Sequence, residues 1–116
     1  MNNTLSISLN GQFINIDERM RIDVGFNVKA SLFLPDKIIV VLDSDNYSPI
    51  NENVKCYNFN GTELWKIEAG DWPEKYDSPV TGIWQNEGRL MVYRRCGFEQ
   101  ELDIETGIEL NCEFTK

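Results

Sequence analysis

The sequence lacks histidine entirely among its 116 residues. Histidine is the commonest general acid or base in enzymes, the usual partner of serine and cysteine nucleophiles, and a frequent ligand of zinc, copper and iron. The chain also has no glycine-rich phosphate loop and no GxSxG nucleophile motif. We therefore expect a protein that is not an enzyme and that uses no metal or other cofactor.

Cysteines are few and long apolar runs are absent. Cys56, Cys96 and Cys112 form no CxxC pair, which favours free thiols in a reducing compartment over a secreted disulfide framework. The longest apolar run, residues 38–42, is much shorter than the roughly 20 residues that span a bilayer. The first residues alternate polar and apolar side chains and lack the basic start of a signal peptide. These features predict a cytoplasmic protein with no membrane partner.

Positive charge is scarce, since 11 lysines and arginines face 19 aspartates and glutamates and leave a net charge of −8. The imbalance is local: residues 1–42 carry four acids and four bases, so the whole excess lies in residues 43–116. Such a chain repels phosphate backbones and anionic lipid, and it attracts basic proteins. We expect no direct nucleic-acid binding and a basic protein as partner.

What the sequence does contain is enough apolar residues, 41% of the chain, for one domain over residues 1–116. No helical period persists, and short alternating segments separated by Asn-Gly, Pro-Asp and glycine turns recur along the whole chain. This pattern predicts an all-β fold of antiparallel sheets built from consecutive hairpins. We expect a β-sandwich or a half-open barrel.

Two Asn-Gly turns predict tight hairpins. The turn at residues 10–11 would pair Ile7 with Ile14 on one apolar face. The hairpin around residues 60–61 has apolar side chains on both faces, which indicates a strand pair covered on two sides. Between these hairpins, strands are predicted over residues 21–34 and 37–43.

The last third of the chain predicts four strands, over residues 82–85, 89–96, 99–104 and 108–114. A two-residue turn at residues 97–98 would place Tyr93 opposite Leu102 on the inner face. The same register would place Arg94 opposite Glu101 on the outer face.

Carboxylates alternate along the third of these strands, so they would share one face at a spacing of roughly 6.5–7 Å. A three-residue loop ending at Gly107 would set Asp103 opposite Glu109 and Glu99 opposite Glu113, although opposed like charges destabilise a sheet. We interpret this acidic stripe as a docking surface for a cationic site. The alternative is a solvated sheet face that charge keeps soluble. The stripe comprises Glu99, Glu101, Asp103, Glu105, Glu109 and Glu113.

The loop over residues 68–80 mixes aromatic and acidic side chains, as an interface against a basic partner requires. It is a second candidate docking segment. The alternative is that Trp72 folds back as a lid on the core. The candidate residues are Asp71, Trp72, Glu74, Tyr76 and Asp77.

A faint internal repeat links KIIVVLD and VKCYNFNGTELWKI to GRLMVYR and EQELDIETGIEL. The segments FNGTELWKI and IETGIEL resemble the outer hairpins of β-propeller blades of the pyrroloquinoline-quinone-repeat type. A closed propeller needs at least four blades of about 40 residues each. A chain of this length is therefore not a closed propeller.

In size, acidity, lack of histidine and β character, the chain resembles the immunity proteins of bacterial contact-dependent growth inhibition systems. The resemblance implies binding to a cognate toxin domain, a basic ribonuclease or other nuclease, whose active-site cleft the acidic surface would block. The alternative is a carbohydrate- or ligand-binding β module, or a propeller-like fragment that oligomerises. A groove containing Trp65, Trp72 or Trp84 would favour that alternative.

Overall fold

The computed structural model describes residues 6–17, 20–45, 48–70 and 77–115. Apart from one turn of 3-10 helix at Ile50–Glu52, the regular elements in these ranges are strands. They are β1 (Ile7–Asn10), β2 (Phe13–Ile16), β3 (Met20–Asp23), β4 (Val28–Phe33), β5 (Lys37–Leu42), β6 (Val54–Asn58), β7 (Glu63–Lys66), β8 (Val80–Asn86), β9 (Arg89–Arg94), β10 (Phe98–Leu102) and β11 (Glu109–Phe114). In the described ranges we find no helix long and apolar enough to cross a membrane.

The strands form three antiparallel sheets, each made of strands consecutive in the chain. The N-terminal sheet has the order β1-β2-β3, the middle sheet β4-β5-β6-β7, and the C-terminal sheet β8-β9-β10-β11. This arrangement confirms the all-β class built from consecutive hairpins, and none of the sheets described closes into a barrel.

The middle sheet is the central layer of the molecule because hydrophobic clusters cover both of its faces. Ile39 and Val41 of β5 belong to a cluster shared with the C-terminal sheet, in which Leu90 and Val92 take part. The other side of β5, including Val40, packs on the N-terminal sheet. Every residue of β5 is buried. The two-sided cover predicted for the hairpin around residues 60–61 is confirmed for β6, where Cys56 and Tyr57 belong to the two clusters, whereas Leu64 of β7 is exposed.

The first hairpin has the predicted apolar face but not the predicted register. Ile7 lies opposite Ile16 rather than Ile14, a shift of two residues that leaves the faces unchanged. The reason is that Gly11, with a φ of +61°, is the first of the two central turn residues. A glycine at that position is typical of a type II′ turn.

The single strand predicted over residues 21–34 is wrong. Two strands in different sheets, β3 and β4, replace it. Between them Gly25 has a φ of +89°, and its N–H donates to the Asp23 carboxylate at 2.8 Å. The left-handed glycine turns the chain from the N-terminal sheet to the middle sheet.

The register between β9 and β10 also differs from the prediction. Gly97, with a φ of +103°, donates its N–H to the Arg94 carbonyl at 2.9 Å and ends a three-residue turn. The predicted two-residue turn was therefore placed too late in the chain. Glu101 lies opposite Met91, so the predicted pair of Arg94 with Glu101 is wrong.

The observed pairing of β9 with β10 differs from the predicted one by an odd number of residues. Each side chain of β9 therefore lies on the opposite face of the sheet from the one predicted. Tyr93 lies on the outer face opposite Glu99, so its predicted pairing with Leu102 is wrong. Arg94 lies on the inner face and is fully buried. Residues 90–93 are all apolar or aromatic, and their alternation could not distinguish the two faces.

The register between β10 and β11 is partly as predicted. Glu99 lies opposite Glu113, as expected. A bulge then places Glu109 opposite Leu102, so the predicted pair of Asp103 with Glu109 is wrong. Because β10 ends at Leu102, Asp103 lies in the following turn.

Candidate functional site

The face of the C-terminal sheet that is turned away from the middle sheet combines acidic and apolar side chains. Strand pairing arranges these side chains in two rows. The two hydrophobic clusters of the described residues lie on the other face of this sheet and between the other two sheets. The side chains of the two rows form what we term the outer C-terminal face. One row contains Tyr93, Glu99 and Glu113, and the other contains Trp84, Met91 and Glu101.

Glu99 and Glu113 stand directly opposite each other on neighbouring strands. Like charges in this position destabilise a sheet by some tenths of a kcal/mol. In the part of the chain that the structure describes, neither carboxylate forms an ion pair. The pair is therefore a local concentration of negative charge that no described residue neutralises through an ion pair.

Among the described residues, Arg89 is the basic neighbour of Glu101 on this face. The Glu101 carboxylate lies 3.9 Å from a guanidinium nitrogen of Arg89, and the Glu101 side chain is 18% exposed. The contact is too long for a hydrogen bond. Glu101 is thus partly neutralised and remains accessible to a second cation.

The other half of the outer C-terminal face is apolar. Met91 is only 6% exposed, and Trp84 and Tyr93 are half-buried. Met91 and Tyr93 were predicted on the inner face, because the predicted turn gave β9 the opposite orientation, and Trp84 was considered only as part of a ligand groove. Large aromatic side chains beside carboxylates are the composition that protein interfaces favour at their energetic centres.

The remaining acids of the predicted stripe are not on this face. Asp103 accepts the backbone N–H groups of Glu105 and Thr106 at 2.7 and 3.2 Å, and so holds the turn after β10. Glu109 accepts a 2.7 Å bond from the amide nitrogen of Gln100, whose side chain points to the inner side of the sheet. Both acids hold the fold together.

Glu105 is likewise occupied, although its side chain is 78% exposed. It accepts a 2.9 Å hydrogen bond from the ammonium group of Lys37, a side chain that is only 4% exposed. Burial alone would lower the pKa of Lys37, but the bond to Glu105 and the nearby charge of Asp36 outweigh it and raise that pKa. Glu105 therefore neutralises a buried cation.

Glu105→Gln is expected to destabilise the protein by about 1–3 kcal/mol, because the buried ammonium of Lys37 loses its closest counter-charge. Because folding raises the pKa of Lys37, the ion pair with Glu105 contributes fully to stability at a pH below the pKa of lysine in the unfolded chain. The contribution is lost as the pH rises through the pKa of Lys37 in the folded protein. Urea unfolding at neutral pH measures the loss. Glu99→Gln is the control and should change stability by less than about 0.5 kcal/mol. Equal losses in the two variants would contradict this role of Glu105.

Arg94, which the sequence predicts on the outer face, is buried and organises the loops beside the site. Nε of Arg94 donates to Oε1 of Gln100 at 2.7 Å. Its terminal nitrogens donate to the carbonyls of Asn51 at 2.7 Å, Ser78 at 2.8 Å and Glu68 at 2.9 Å. Burial lowers the pKa of Arg94 to about 10. The guanidinium thus fixes both ends of the loop that was the second candidate segment.

Most of that second candidate segment lies outside the described residues: Asp71, Trp72, Glu74 and Tyr76. Asp77 is described and exposed. A role for this loop, or for Trp72 as a lid, stays a prediction. Trp65 is a buried core residue whose indole N–H donates to the carbonyl of Ile104 at 2.8 Å, so it lines no ligand groove.

The cysteines are free thiols. Cys56 is fully buried, and burial raises its pKa to about 12. Cys96 and Cys112 are half-buried. Within the described ranges no group of three or more cysteine, aspartate and glutamate residues is placed to hold a metal ion.

Residues 4–114 match the model of a family described as Domain of unknown function (DUF7957). The chain belongs to this family. No curated protein matches the DUF7957 chain. A solved structure, that of the computationally designed Ika8 protein, is similar over 97% of this chain and 33% of its own, with 17% identity and a TM-score of 0.58. The chain thus spans a third of the length of that structure, and the likeness concerns the fold alone.

Proposed function

We propose that this DUF7957 chain is a binding protein that neutralises a basic partner, as immunity proteins of contact-dependent growth inhibition systems do. The partner is a toxin domain with a cationic cleft, such as a ribonuclease or other nuclease. The outer C-terminal face is the docking surface. This surface is smaller than the predicted acidic stripe, because Asp103, Glu105 and Glu109 are occupied within the fold.

The observation that carries the proposal is the opposition of Glu99 and Glu113, neither of which forms an ion pair with a described residue. A sheet gains nothing in stability from this pair, whereas a partner's lysine or arginine placed over both carboxylates would relieve their repulsion. Binding would then release a strain that the free protein carries. Electrostatic complementarity of this kind also accelerates encounter with a basic protein.

Trp84, Met91 and Tyr93 support the same conclusion from the apolar side. Strand pairing holds Trp84 and Tyr93 on a rigid sheet beside the nearly buried Met91, so little side-chain entropy is lost when a partner covers the two rings. Tryptophan and tyrosine dominate the energetic centres of interfaces, and surrounding polar groups exclude water. The outer C-terminal face therefore combines aromatic side chains that a partner can bury with carboxylates that can pair with its basic groups.

Charge reversal on this face tests the proposal. Glu99→Lys combined with Glu101→Lys should weaken binding to the basic toxin domain by at least about 2 kcal/mol. The toxin domain to use is the product of the neighbouring gene, co-expressed with this chain, and calorimetry gives the affinity. The matched control is Asp45→Lys with Glu63→Lys, which makes the same charge change at exposed positions outside both the C-terminal sheet and the loop over residues 68–80. Equal affinities for the two double variants would refute the assignment.

Salt dependence provides a second readout of the same complex. An acidic docking face predicts that affinity falls sharply as salt rises, since the Debye length shortens to about 10 Å at 0.1 M. Stacking of a sugar on Trp84 would be almost independent of salt. A salt-independent complex would therefore favour a ligand-binding β module.

A second candidate is a propeller-like fragment that oligomerises. Nearly the whole chain is similar to one third of the longer designed Ika8 protein, which favours this candidate. The partly apolar outer C-terminal face favours it as well. Sedimentation equilibrium separates the candidates. A monomer that associates only with the basic domain supports the first, and a concentration-dependent oligomer of the isolated chain supports the second.

A further inference from the structure

A shallow groove lies at one end of the C-terminal sheet, where the β8–β9 and β10–β11 turns meet. Its volume is about 170 Å³. Its apolar wall is formed by Leu90, Leu102, Ile104 and Leu110. Its charged rim is formed by Arg89, Glu101 and Asp103. Glu101 belongs also to the outer C-terminal face, so the groove opens beside the proposed docking surface.

The size of the groove limits what can occupy it. Sites for cofactors and drug-sized molecules measure roughly 300–1,000 Å³. A groove of about 170 Å³ is too small for such a ligand and suits a single long side chain. Interfaces place their anchor side chains in pockets of this kind.

We propose that the groove receives one arginine side chain of the basic partner. This inference rests on the proposed function and names the anchor of that complex. The aliphatic stem of the arginine would lie on the leucine and isoleucine wall. Its guanidinium would lie between Glu101 and Oδ2 of Asp103, because the two turn hydrogen bonds of Asp103 described above both go to Oδ1. Arginine suits such a site better than lysine, because its planar head binds carboxylates with two parallel bonds and is more weakly hydrated.

The residue that already lies at the rim supports this choice. Arg89 places its guanidinium near Glu101, which demonstrates that the rim accommodates this group. At 3.9 Å and with Arg89 50% exposed, the contact is loose and readily exchanged. The rim carries two acids and one base, so one more guanidinium makes it neutral.

A titration with n-butylguanidinium, which reproduces the arginine side chain, tests the proposal without any partner. Methyl NMR signals of Leu90, Leu102, Ile104 and Leu110 report directly from the groove wall. We expect saturable shifts of these signals over the millimolar range. The neutral isostere n-butylurea should bind about tenfold more weakly, because it forms no charge-assisted hydrogen bond.

Two variants separate the charged rim from the apolar wall. Glu101→Gln should reduce the affinity for butylguanidinium to that for butylurea, and Leu110→Ala should weaken both probes alike. Glu87→Gln, at an exposed position in the neighbouring turn, is the control and should change nothing. Absence of a saturable methyl shift, equal binding of the two probes, or indifference to Glu101→Gln would each overturn the proposal. These measurements involve no toxin domain, so their failure is distinguishable from a failure of the chain to bind one.

Discussion

Arg94→Met is expected to destabilise the protein by about 3–5 kcal/mol. The substitution keeps a long side chain in the core but removes donors to the carbonyls of Asn51, Glu68 and Ser78. The bond to Ser78 is buried and the other two are partly buried. A buried acceptor left without a donor costs about 1–3 kcal/mol, and small domains are stable by only about 5–15 kcal/mol. The variant should therefore unfold at much lower urea concentration, as followed by tryptophan fluorescence.

Arg95→Met is the matched control. Arg95 is the next residue, is exposed, and makes a 3.1 Å bond to the hydroxyl of Ser44. Its loss should cost about 1 kcal/mol, since a single partly buried hydrogen bond is removed there instead of four bonds of a buried guanidinium. If Arg94→Met were no more destabilising than Arg95→Met, the buried guanidinium would not organise these loops as we describe.

Gly107→Ala is expected to cost about 2–4 kcal/mol. Gly107 has a φ of +75°, which a residue with a Cβ adopts only with strain. An added Cβ would also lie within 3.0 Å of three ring carbons of Trp65. That ring is in the core between the middle and C-terminal sheets and cannot move aside without repacking, which typically costs 1–3 kcal/mol. Urea unfolding measures the sum.

Gly88→Ala separates the cost of backbone strain from the cost of the contact with Trp65. Gly88 has a similar φ of +81°, but an added Cβ would meet nothing within 4 Å. Only the backbone strain remains there, and the expected loss is about 1 kcal/mol. Equal losses at the two glycines would mean that the contact between Gly107 and Trp65 is not tight.

The sequence predicts the fold class and the position of most strands because hydrophobic alternation and turn glycines are local signals. β5 is a clear case: a short apolar run proves to be the strand buried on both faces. The internal repeat is a second case, since β5, β6 and β7 occupy the same places in the middle sheet as β9, β10 and β11 in the C-terminal sheet.

Register is harder to predict, because it depends on which residue of a turn takes the left-handed conformation. Gly97 could occupy either the first or the last position of its turn, and the choice decides the orientation of β9. The predicted two-residue turn put Arg94 on the outer face, opposite Glu101. Only the surrounding backbone carbonyls, which come from distant parts of the chain, explain why a guanidinium can be buried there.

The sequence therefore predicts some of the residues of the candidate site and not others. Glu99, Glu101 and Glu113 come together on one face because strand alternation fixes them there. Asp103 and Glu105 follow the end of β10, and a strand rule no longer applies to them. The buried partner of Glu105, Lys37, is 68 residues away in sequence, and no local pattern reveals such a contact.

The most direct test of the central claim is the response of the indole signals to the basic toxin domain in ¹⁵N NMR. Trp84 lies on the outer C-terminal face, whereas the indole N–H of Trp65 is held in the core by the carbonyl of Ile104. We predict that the Trp84 signal shifts or broadens on binding while the Trp65 signal stays in place. A saturated complex in which the Trp84 signal is unchanged would contradict the proposal that this face is the docking surface.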